Sequence, residues 1–388
     1  MPGSAQQAVA IAPRFARLEA CVLADIERGR CDGVAMRVTQ RGKTVYEGVH
    51  GFADRAAGRA LVPDDAFVSM SVGKQFTNTV LLGLIEEGQL SFNTQLGDVL
   101  DAFKGSAWRG ATIAQLLMHS AGVLRAVPPL PPEELIRPER LAAFAAASGP
   151  DYAPGTRIDY SIIAGHAVLS EIARAIDGGG RSFADIVSER LFIPLGMYDT
   201  CLGPREDLLA RACPVRACYD TPGLADPRAL EGLGALLRIP GGEVPGGGYF
   251  TTLRDLQRFV DMLASGGVLE GRRVLSRAML AFCTRNRSGE LPNHLWDYTH
   301  AFRGWEPWPA CLGYGFYARG EWLTPGPFGV LNSADTFGGI GAGSTGFWVD
   351  PAREMSFVFL SSGLMEDSYH LQRLQRLSDL AILACEEN

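Results

Sequence analysis

The sequence predicts an α/β (α+β) fold in which an antiparallel sheet is flanked by helices and carries an inserted, mostly helical domain. Strand patterns occur near both ends of the chain, whereas helical patterns dominate between them. The length of 388 residues, with 47% hydrophobic and 20% charged residues, is typical of a globular protein with a large core. We therefore expect a sheet domain formed by residues 12–75 and 236–388, and a helical domain formed by residues 76–235.

The first part of the chain predicts a helix, a hairpin and a further strand. Apolar residues recur at helical spacing over residues 14–28, which indicates an amphipathic helix. Residues 33–38 and 44–49 flank a polar turn and are typical of a β-hairpin. Residues 66–70 indicate the end of another strand, which leads into a helix with the buried run 80–85.

The middle of the chain predicts helices separated by two unusual loops. A short helix over residues 111–122 ends at glycine, and helical patterns return over 162–176 and 183–191. The proline-rich stretch 128–138 is expected to be a loop over a cleft. Glycines are concentrated in 241–248, which favours a hinge or a loop that approaches its neighbours closely.

The last third returns to strands. A helix is expected over residues 254–265 and a tryptophan-rich segment follows it. Strand patterns then occupy residues 312–317, 347–349 and 355–360, and an amphipathic helix over 368–385 ends the pattern. Strands at both ends around a helical middle are the basis of the predicted sheet.

Charge and cysteine usage argue against several classes of protein. The net charge of −7, without a run of lysine or arginine, disfavours nucleic acid or a membrane surface as a partner. No apolar run is long enough to span a bilayer, and residues 1–10 lack the basic start of a secretory signal. The eight cysteines are scattered, so we expect free thiols, no metal site and a cytoplasmic location. The sequence leaves a pairing of Cys213 with Cys218 open and does not indicate the oligomeric state.

Ser71 and Lys74 are the first candidates for chemistry. Residues three apart share one face of a helix, so the hydroxyl and the amine are within hydrogen-bonding reach. A serine becomes a nucleophile when a base removes its proton, and burial at the positive end of a helix dipole lowers the pKa of a lysine toward that role. Ser69 has Val72 at the matching position and lacks such a partner. By itself, the pattern is more often a helix cap followed by a surface lysine.

Two further stretches supply candidate groups for the same reaction. Tyr160 follows a Pro-Gly turn at a helix entrance, and a phenol near Lys74 would exchange a proton with Ser71. Alone, a tyrosine in this position is more often a packed aromatic. Residues 337–344 are rich in glycine and precede a strand, so a backbone N–H there can reach a developing oxyanion. The simpler interpretation of that stretch is an ordinary glycine-rich loop.

In order and spacing, these stretches resemble the serine β-lactamase and penicillin-binding-protein superfamily, specifically the class C β-lactamase-like esterases and transacylases. The resemblance extends from about residue 67 to residue 360. Its matching stretches are Ser71 with Lys74, residues 116–122, Pro154-Gly155 before Tyr160-Ser161, residues 191–197, residues 247–256, and Asp350-Pro351. It implies a β-lactamase/transpeptidase-like fold with the active site where the two domains meet.

The resemblance also implies roles for individual residues. Ser71 is the expected nucleophile, while Lys74 and Tyr160 exchange its proton, and which of the two is the kinetic base stays open. The backbone N–H groups of Ser71 and Ala342 are expected to form the oxyanion hole. The aligned positions expected at the substrate are Ile162, Gly339, Ile340 and Gly341. Apart from the resemblance, Trp348 is a candidate for lining an acyl pocket, as are Trp296, Trp305 and Trp308, and packing in the core is at least as good an interpretation for each.

Two departures from the family pattern narrow the expected substrate. The family's Tyr-x-Asn is Tyr160-Ser161-Ile162 here, so the amide that holds an acylamide group is missing. The third family motif aligns with Gly339-Ile340-Gly341, so the cation that would bind a substrate carboxylate is missing as well. Both losses weigh against β-lactamase or D-Ala-D-Ala carboxypeptidase activity.

The sequence therefore predicts a cofactor-free serine hydrolase or acyltransferase. It would cleave a small-molecule ester or thioester through an acyl-enzyme on Ser71, with water, an alcohol or an amine as the acceptor. The identities of donor and acceptor, and the choice between hydrolysis and transfer, stay open. The alternatives are an amidase of the D-Ala-D-Ala peptidase or β-lactamase type, and a non-catalytic ligand-binding member of the fold.

Three other patterns are weaker candidates. His119 ends a short helix and is expected to be structural. Residues 341–346 match the G-x-G-x-x-G fingerprint of dinucleotide-binding folds, but a strand follows where that fingerprint requires a helix. Ser344 with His370 resembles part of a nucleophile elbow, yet too few residues follow for the rest of an α/β-hydrolase sheet.

Overall fold

A seven-stranded antiparallel sheet forms the centre of the molecule, and both ends of the chain contribute to it. The computed structural model describes residues 13–220, 226–321, 323 and 325–386. The strands in these residues are β1 (Gly33–Gln40), β2 (Lys43–Asp54), β3 (Arg59–Ala60), β4 (Phe67–Val68), β5 (Cys201–Leu202), β6 (Tyr249–Thr251), β7 (Val268–Leu269), β8 (Arg272–Arg273), β9 (Tyr317–Ala318), β10 (Phe337–Gly341), β11 (Thr345–Asp350) and β12 (Met355–Ser362).

The large sheet has the strand order β3-β2-β1-β12-β11-β10-β9. Gly33 of β1 lies opposite Ser362 of β12, and Gln40 lies opposite Met355, so the N-terminal hairpin pairs directly with the last strand. β12 is buried along its whole length, in keeping with the apolar run 357–360 at its centre. The predicted antiparallel sheet flanked by helices is confirmed.

Helices cover both faces of the sheet and fill the middle of the chain. The α-helices of the described residues are α1 (Ala16–Glu27), α2 (Gly73–Glu86), α3 (Leu96–Val99), α4 (Ile113–Leu117), α5 (Pro132–Leu135), α6 (Pro138–Ser148), α7 (Ala164–Ile176), α8 (Phe183–Val187), α9 (Ile193–Leu195), α10 (Glu206–Leu209), α11 (Pro227–Leu236), α12 (Leu253–Ala264), α13 (Arg277–Cys283), α14 (Asp297–Arg303) and α15 (Asp367–Glu386). Side chains of α2 and α12 share one apolar core, and side chains of α1 and α15 share another.

The two cores lie on opposite faces of the sheet, because neighbouring residues of a strand face opposite sides. On β11, the ring of Phe347 packs edge-to-face against Phe259 of α12, with 5.9 Å between centroids. The next residue, Trp348, stacks instead on Phe357 at 5.8 Å, in the core that includes α15. A smaller sheet of order β4-β6-β5 adjoins the start of α2.

Some elements differ from their predicted bounds where tertiary contacts decide the outcome. The strand expected over 312–317 is only β9, because Gly315 adopts a left-handed φ of 90° and turns the chain just before it. The stretch 337–344, expected to be a loop before a strand, contains β10 itself. The expected loop 128–138 includes helix α5, and the helix expected over 183–191 continues from α8 as a π-helical turn.

All eight cysteines are free thiols, so Cys213 and Cys218 are not paired. Within the described ranges, no group of three or more His, Cys, Asp or Glu side chains is placed to hold a metal ion. None of the helices described above combines the length and apolarity needed to cross a membrane. The division into two domains remains a prediction, and residues 1–12, with the stretch judged for a secretory signal, lie outside the described residues.

Phe76 of α2 is expected to be a large contributor to stability. Its ring is fully buried and packs edge-to-face against Phe192, Tyr249 and Phe259 at 5.5, 5.3 and 4.9 Å. Phe76→Ala should lower the free energy of unfolding by about 3–5 kcal/mol, measured by urea denaturation, because it leaves a cavity. The exposed Tyr198 is the control, and Tyr198→Ala should change the stability little. Equal effects of both variants would contradict this packing.

Candidate active site

Ser71 lies in a strained turn at the start of α2. The residues Met70–Val72 form one turn of 3₁₀ helix that runs directly into α2. Met70 has a φ of 47°, in the left-handed region that non-glycine residues rarely adopt. Such a conformation persists only where its surroundings hold it, and it often marks a functional position. Ser71 itself remains partly exposed while both of its neighbours are buried.

Three hydrogen bonds from two other segments, residues 247–249 and Thr345, hold Ser69 and this turn in place. The Ser69 N–H donates to the Tyr249 carbonyl at 2.8 Å, and Thr345 Oγ1 donates to the Ser69 carbonyl at 2.7 Å. The Ser69 hydroxyl donates to the Gly247 carbonyl at 3.1 Å. Ser69 therefore has a structural role, since its hydroxyl donates to backbone carbonyls.

Lys74 is buried beneath Ser71, with only 2% of its surface exposed. Its Nζ lies 3.2 Å from Ser71 Oγ and donates to the carbonyls of Ile162 and Gly246, both at 2.7 Å. The glycine-rich stretch 241–248 was expected to approach its neighbours closely. The contact of the Gly246 carbonyl with Lys74 is such an approach. A neutral amine has two N–H bonds and one lone pair. When the two carbonyls accept those hydrogens, the lone pair is left for the Ser71 hydroxyl.

The protonation state of Lys74 follows from its burial. Removal from water disfavours the ammonium form and lowers the pKa of Lys74 from 10.5 to about 7. At physiological pH, the Lys74 amine is then neutral in a substantial fraction of the molecules. The arrangement can accept a proton from Ser71, as general-base chemistry requires.

Tyr160 completes the set, and its phenol interacts with Ser71 and with Tyr317, each of which lowers its pKa. The His119 ring stacks on its ring with centroids 4.5 Å apart, and Lys74 Nζ lies 4.9 Å from the ring centroid. Burial raises the pKa of Tyr160 well above its ordinary value. Tyr160 is therefore a neutral phenol at physiological pH and is able to donate a proton.

His119 supports Tyr160 without carrying charge. Its Nδ1 accepts from the Ser161 N–H at 3.3 Å, and its carbonyl accepts from the Asp159 N–H at 2.9 Å. Burial and the nearby Lys74 lower the pKa of His119 to about 3, so the ring stays neutral. His119 thus shapes the site through stacking and backbone contacts.

The hairpin of β10 and β11 brings Ala342 beside the Ser71 turn. A Cβ atom on Gly341 would lie 2.8 Å from both Met70 Cβ and the Ser69 carbonyl oxygen, so the two turns touch at this glycine. Ala342 is partly exposed, as Ser71 is, although most of the hairpin is buried. The turn after Ala342 is fixed by the Gly343 N–H, which donates to Asp367 Oδ1 at 3.0 Å.

The residues expected at the substrate differ in their exposure and in what they pack against. The Ile162 side chain is 39% exposed above its carbonyl contact to Lys74. Gly339 faces α2, where a Cβ atom would overlap the Gln75 side chain, so no cation projects from this position. Ile340 is half-buried and packs against the core that contains α15.

Trp348 does not belong with the other predicted substrate residues. Its side chain is only 1% exposed, and its Nε1 donates to Ser378 of α15 at 2.8 Å. The expectation that it contacts substrate is therefore not retained, because alternation along β11 places it within the core. The sequence pattern does not show which face of a strand borders the site.

The weaker candidates do not form a second site. Residues 341–346 make the β10–β11 hairpin, so they do not begin a helix. The Ser344 hydroxyl donates to the Ala342 carbonyl at 3.0 Å, and His370 Nε2 is bound to the Thr345 carbonyl at 3.1 Å. A serine–histidine pair is therefore not assembled at Ser344.

Sequence reasoning missed Tyr317 and the role of Asp367 at the turn after Ala342. Tyr317 is in the short strand β9, far from Tyr160 in sequence, and no local pattern links the two. Asp367 begins α15, and burial together with Glu366 raises the pKa of Asp367 to about 7. A carboxylate at a helix start is usually a cap, which is why its contact to Gly343 was not apparent.

Comparisons with known proteins relate the chain to one family and one fold. A family model described as Beta-lactamase matches residues 15–381. The chain is 30% identical over 341 residues to "Penicillin-binding protein 4" of Amycolatopsis lactamdurans, across 83% of this chain and 84% of that protein. It is 25% identical over 375 residues to "Esterase/beta-lactamase LipL" of Mycobacterium tuberculosis, across 91% of this chain and 82% of that protein. A penicillin-binding protein homolog from Caulobacter crescentus has the same fold, with a TM-score of 0.77, 22% identity and coverage of 95% of this chain and 98% of that chain.

Gly341 is expected to tolerate no side chain. Gly341→Ala would place its Cβ against Thr345 Oγ1 and 2.8 Å from Met70 Cβ. We expect it to lower the free energy of unfolding by about 1–3 kcal/mol through overpacking, measured by urea denaturation.

Gly83→Ala on α2 is the matched control, because a Cβ atom there meets no atom within 4 Å. It should raise the stability by about 0.5–1 kcal/mol, since alanine favours the helix interior. A neutral Gly341→Ala variant would contradict the close contact between the two turns.

Proposed function

The chain belongs to the beta-lactamase family, and from that premise we propose that it is a serine esterase or transacylase working through an acyl-enzyme on Ser71. Family membership makes it a hydrolase of the beta-lactamase fold, and the ester or thioester specificity is the proposal. The observation that carries it is the buried Lys74 Nζ, 3.2 Å from Ser71 Oγ, with its pKa lowered to about 7. An uncharged amine in contact with a serine hydroxyl is a base already in position.

In the first half of the reaction, Ser71 Oγ attacks the substrate carbonyl carbon while Lys74 takes the hydroxyl proton. The backbone N–H groups of Ser71 and Ala342 stabilise the oxyanion of the tetrahedral intermediate. The bond to the leaving oxygen or sulfur then breaks, and Tyr160 protonates the leaving group. The proton on Lys74 passes to Tyr160, which restores both residues.

In the second half, water, an alcohol or an amine attacks the acyl-enzyme. Its proton is accepted within the Lys74 and Tyr160 pair, and Ser71 regains its proton as the acyl group departs. The contacts of Lys74 with two carbonyls keep the amine in place in both halves. Hydrolysis and acyl transfer therefore use the same residues.

The edge of β10 at residues 339–341 favours substrates whose acyl groups lack a carboxylate. β9 pairs only with Phe337 and Gly338 of β10, so among the described strands none pairs with residues 339–341 on that edge. We propose that the substrate lies along Gly339, Ile340 and Gly341, with Ile162 opposite. None of these four residues offers a cation or a side-chain amide, so less polar esters are favoured over acylamide carboxylates.

An amide-cleaving function is the second candidate, and one observation favours it. The relative named "Penicillin-binding protein 4" shares 30% identity over most of both chains, more than the relative named an esterase/beta-lactamase. The missing cation at Gly339 weighs against it. Turnover of nitrocefin or of a D-alanyl-D-alanine peptide, in preference to esters, would establish this candidate instead.

Labelling with a fluorophosphonate tests the nucleophile. We expect a single adduct on Ser71, located by peptide mass spectrometry, because the hydroxyl has its base in contact. Ser71→Ala should abolish labelling and lower ester turnover by at least about 10³-fold. Ser148→Ala, on α6, is the matched control and should behave as wild type. An adduct on another residue, or turnover that survives Ser71→Ala, would refute the mechanism.

The pH dependence of labelling tests the role of Lys74. Only the neutral amine accepts a proton, and its pKa is lowered to about 7, so the rate should rise with pH through about 7 and then level off. Lys74→Met should lower the rate by about 10²–10⁴-fold and remove this transition.

Lys104→Met is the control, because the Lys104 side chain is exposed and pairs with the exposed Asp101. A transition near the ordinary pKa of lysine in the wild-type protein would contradict a neutral Lys74.

A further inference from the structure

We propose that a cavity beside α15 binds a small organic carboxylate, with the charged group at the buried Arg373 and an apolar body next to it. The cavity has a volume of about 540 Å³, within the range of small-molecule sites in proteins. Residues of α15 line one side of it, and Asp25 and Arg30, from the end of α1, line another. None of its lining residues belongs to the candidate active site, so the inference goes beyond the proposed function.

Arg373 is a buried cation without a counter-ion. It lines the cavity with only 3% of its surface exposed. Within the part of the chain that the structure describes, its Nε and Nη1 have no hydrogen-bond partner. Three N–H bonds of the guanidinium therefore lack an acceptor. A buried charge in this state is unfavourable, and a bound anion would supply the missing partner.

The third nitrogen of Arg373 fixes the position of the guanidinium. Its Nη2 donates to the Gly343 carbonyl at 2.9 Å and to His370 Nδ1 at 2.8 Å. The guanidinium carbon also lies 4.6 Å from the ring centroid of Phe359 on β12. A ligand would thus meet a cation that is already ordered, which lowers the entropic cost of binding. Through Gly343, the cavity shares Arg373 with the turn after Ala342.

The carboxylates that line the cavity are engaged elsewhere. Asp25 Oδ1 accepts from Arg30 Nη1 at 3.3 Å, and Asp25 Oδ2 accepts from Arg376 Nη2 at 3.2 Å. Asp379 Oδ1 accepts from a backbone N–H at 2.9 Å. Three arginines and these two aspartates line the cavity, which leaves one positive charge in excess. That excess matches a ligand with a single negative charge.

The apolar part of the lining distinguishes a carboxylate from an inorganic anion. Met365, Val330 and Leu380 line the same cavity as Arg373. Met365 is buried, whereas Val330 is 42% exposed and lies at the rim. An aliphatic chain that covers these side chains gains free energy by removing apolar surface from water. Phosphate carries more than one negative charge and has no apolar part, so a carboxylate with an aliphatic chain is the better match.

Titration calorimetry of the full chain with three probes tests the ligand class. Octanoate should bind, and it should raise the melting temperature progressively with its concentration, because it binds the folded state. Inorganic phosphate and 1-octanol should each bind at least about tenfold more weakly, since one lacks the apolar body and the other lacks the charge. Equal binding of 1-octanol would overturn the role of Arg373, and equal or tighter binding of phosphate would overturn the carboxylate class.

Two variants test the location of the site. Arg373→Met removes the cation and should weaken octanoate binding by at least about tenfold. Val330→Glu adds a like charge at the exposed rim and should also weaken it by at least about tenfold, without disturbing the core.

Val62→Glu is the matched control, because Val62 is 40% exposed and lies outside the cavity, and it should bind octanoate as wild type does. If Arg373→Met does not fold, the comparison of Val330→Glu with Val62→Glu decides. Octanoate binding that Val330→Glu leaves unchanged, or that Val62→Glu weakens equally, would overturn the proposal. None of these measurements uses ester turnover, so their outcome is separate from that of the proposed function.

Discussion

The rest of the site depends on one buried amine. Lys74 Nζ joins three segments that are far apart in sequence, through Ser71 and the carbonyls of Ile162 and Gly246. Burial disfavours the ammonium form of Lys74, and the two carbonyls of the buried site accept the hydrogens of the neutral amine. One set of contacts therefore fixes the geometry of the site and also its protonation state. Buried polar groups of this kind destabilise a core unless every partner is present.

The sheet supplies the second constraint, which is close approach. Gly341 brings the hairpin against the Met70 turn, and Thr345 binds the carbonyl of Ser69. The left-handed Met70 is held between these elements, which places Ser71 at the partly exposed point where they meet. In the proposed reaction, the nucleophile on the helix attacks the acyl carbon, and a backbone N–H of the sheet donates to the carbonyl oxygen.

Local features of the site could be predicted from the sequence, whereas the packing around it could not. Ser71 and Lys74 are three residues apart, so helix geometry alone indicates their contact. The antiparallel sheet followed from strand patterns at both ends of the chain. Tyr317 was missed because its partner is distant in sequence and its strand has two residues. Trp348 was misplaced because an aromatic residue in a strand does not reveal which of two buried faces it occupies.

The position of Asp367 late in the chain determines when, during synthesis, Ser71 acquires its full surroundings. Asp367 begins α15 and accepts a hydrogen bond from the turn beside Ala342. The first strand, β1, pairs with β12, which is made late in synthesis. A ribosome releases the nucleophile segment long before it has made either of these parts. The nascent chain therefore carries Ser71 and Lys74 without the surroundings that make them reactive. Under the proposed mechanism, Ser71 therefore becomes reactive only after synthesis has passed Asp367 and β12 has paired with β1.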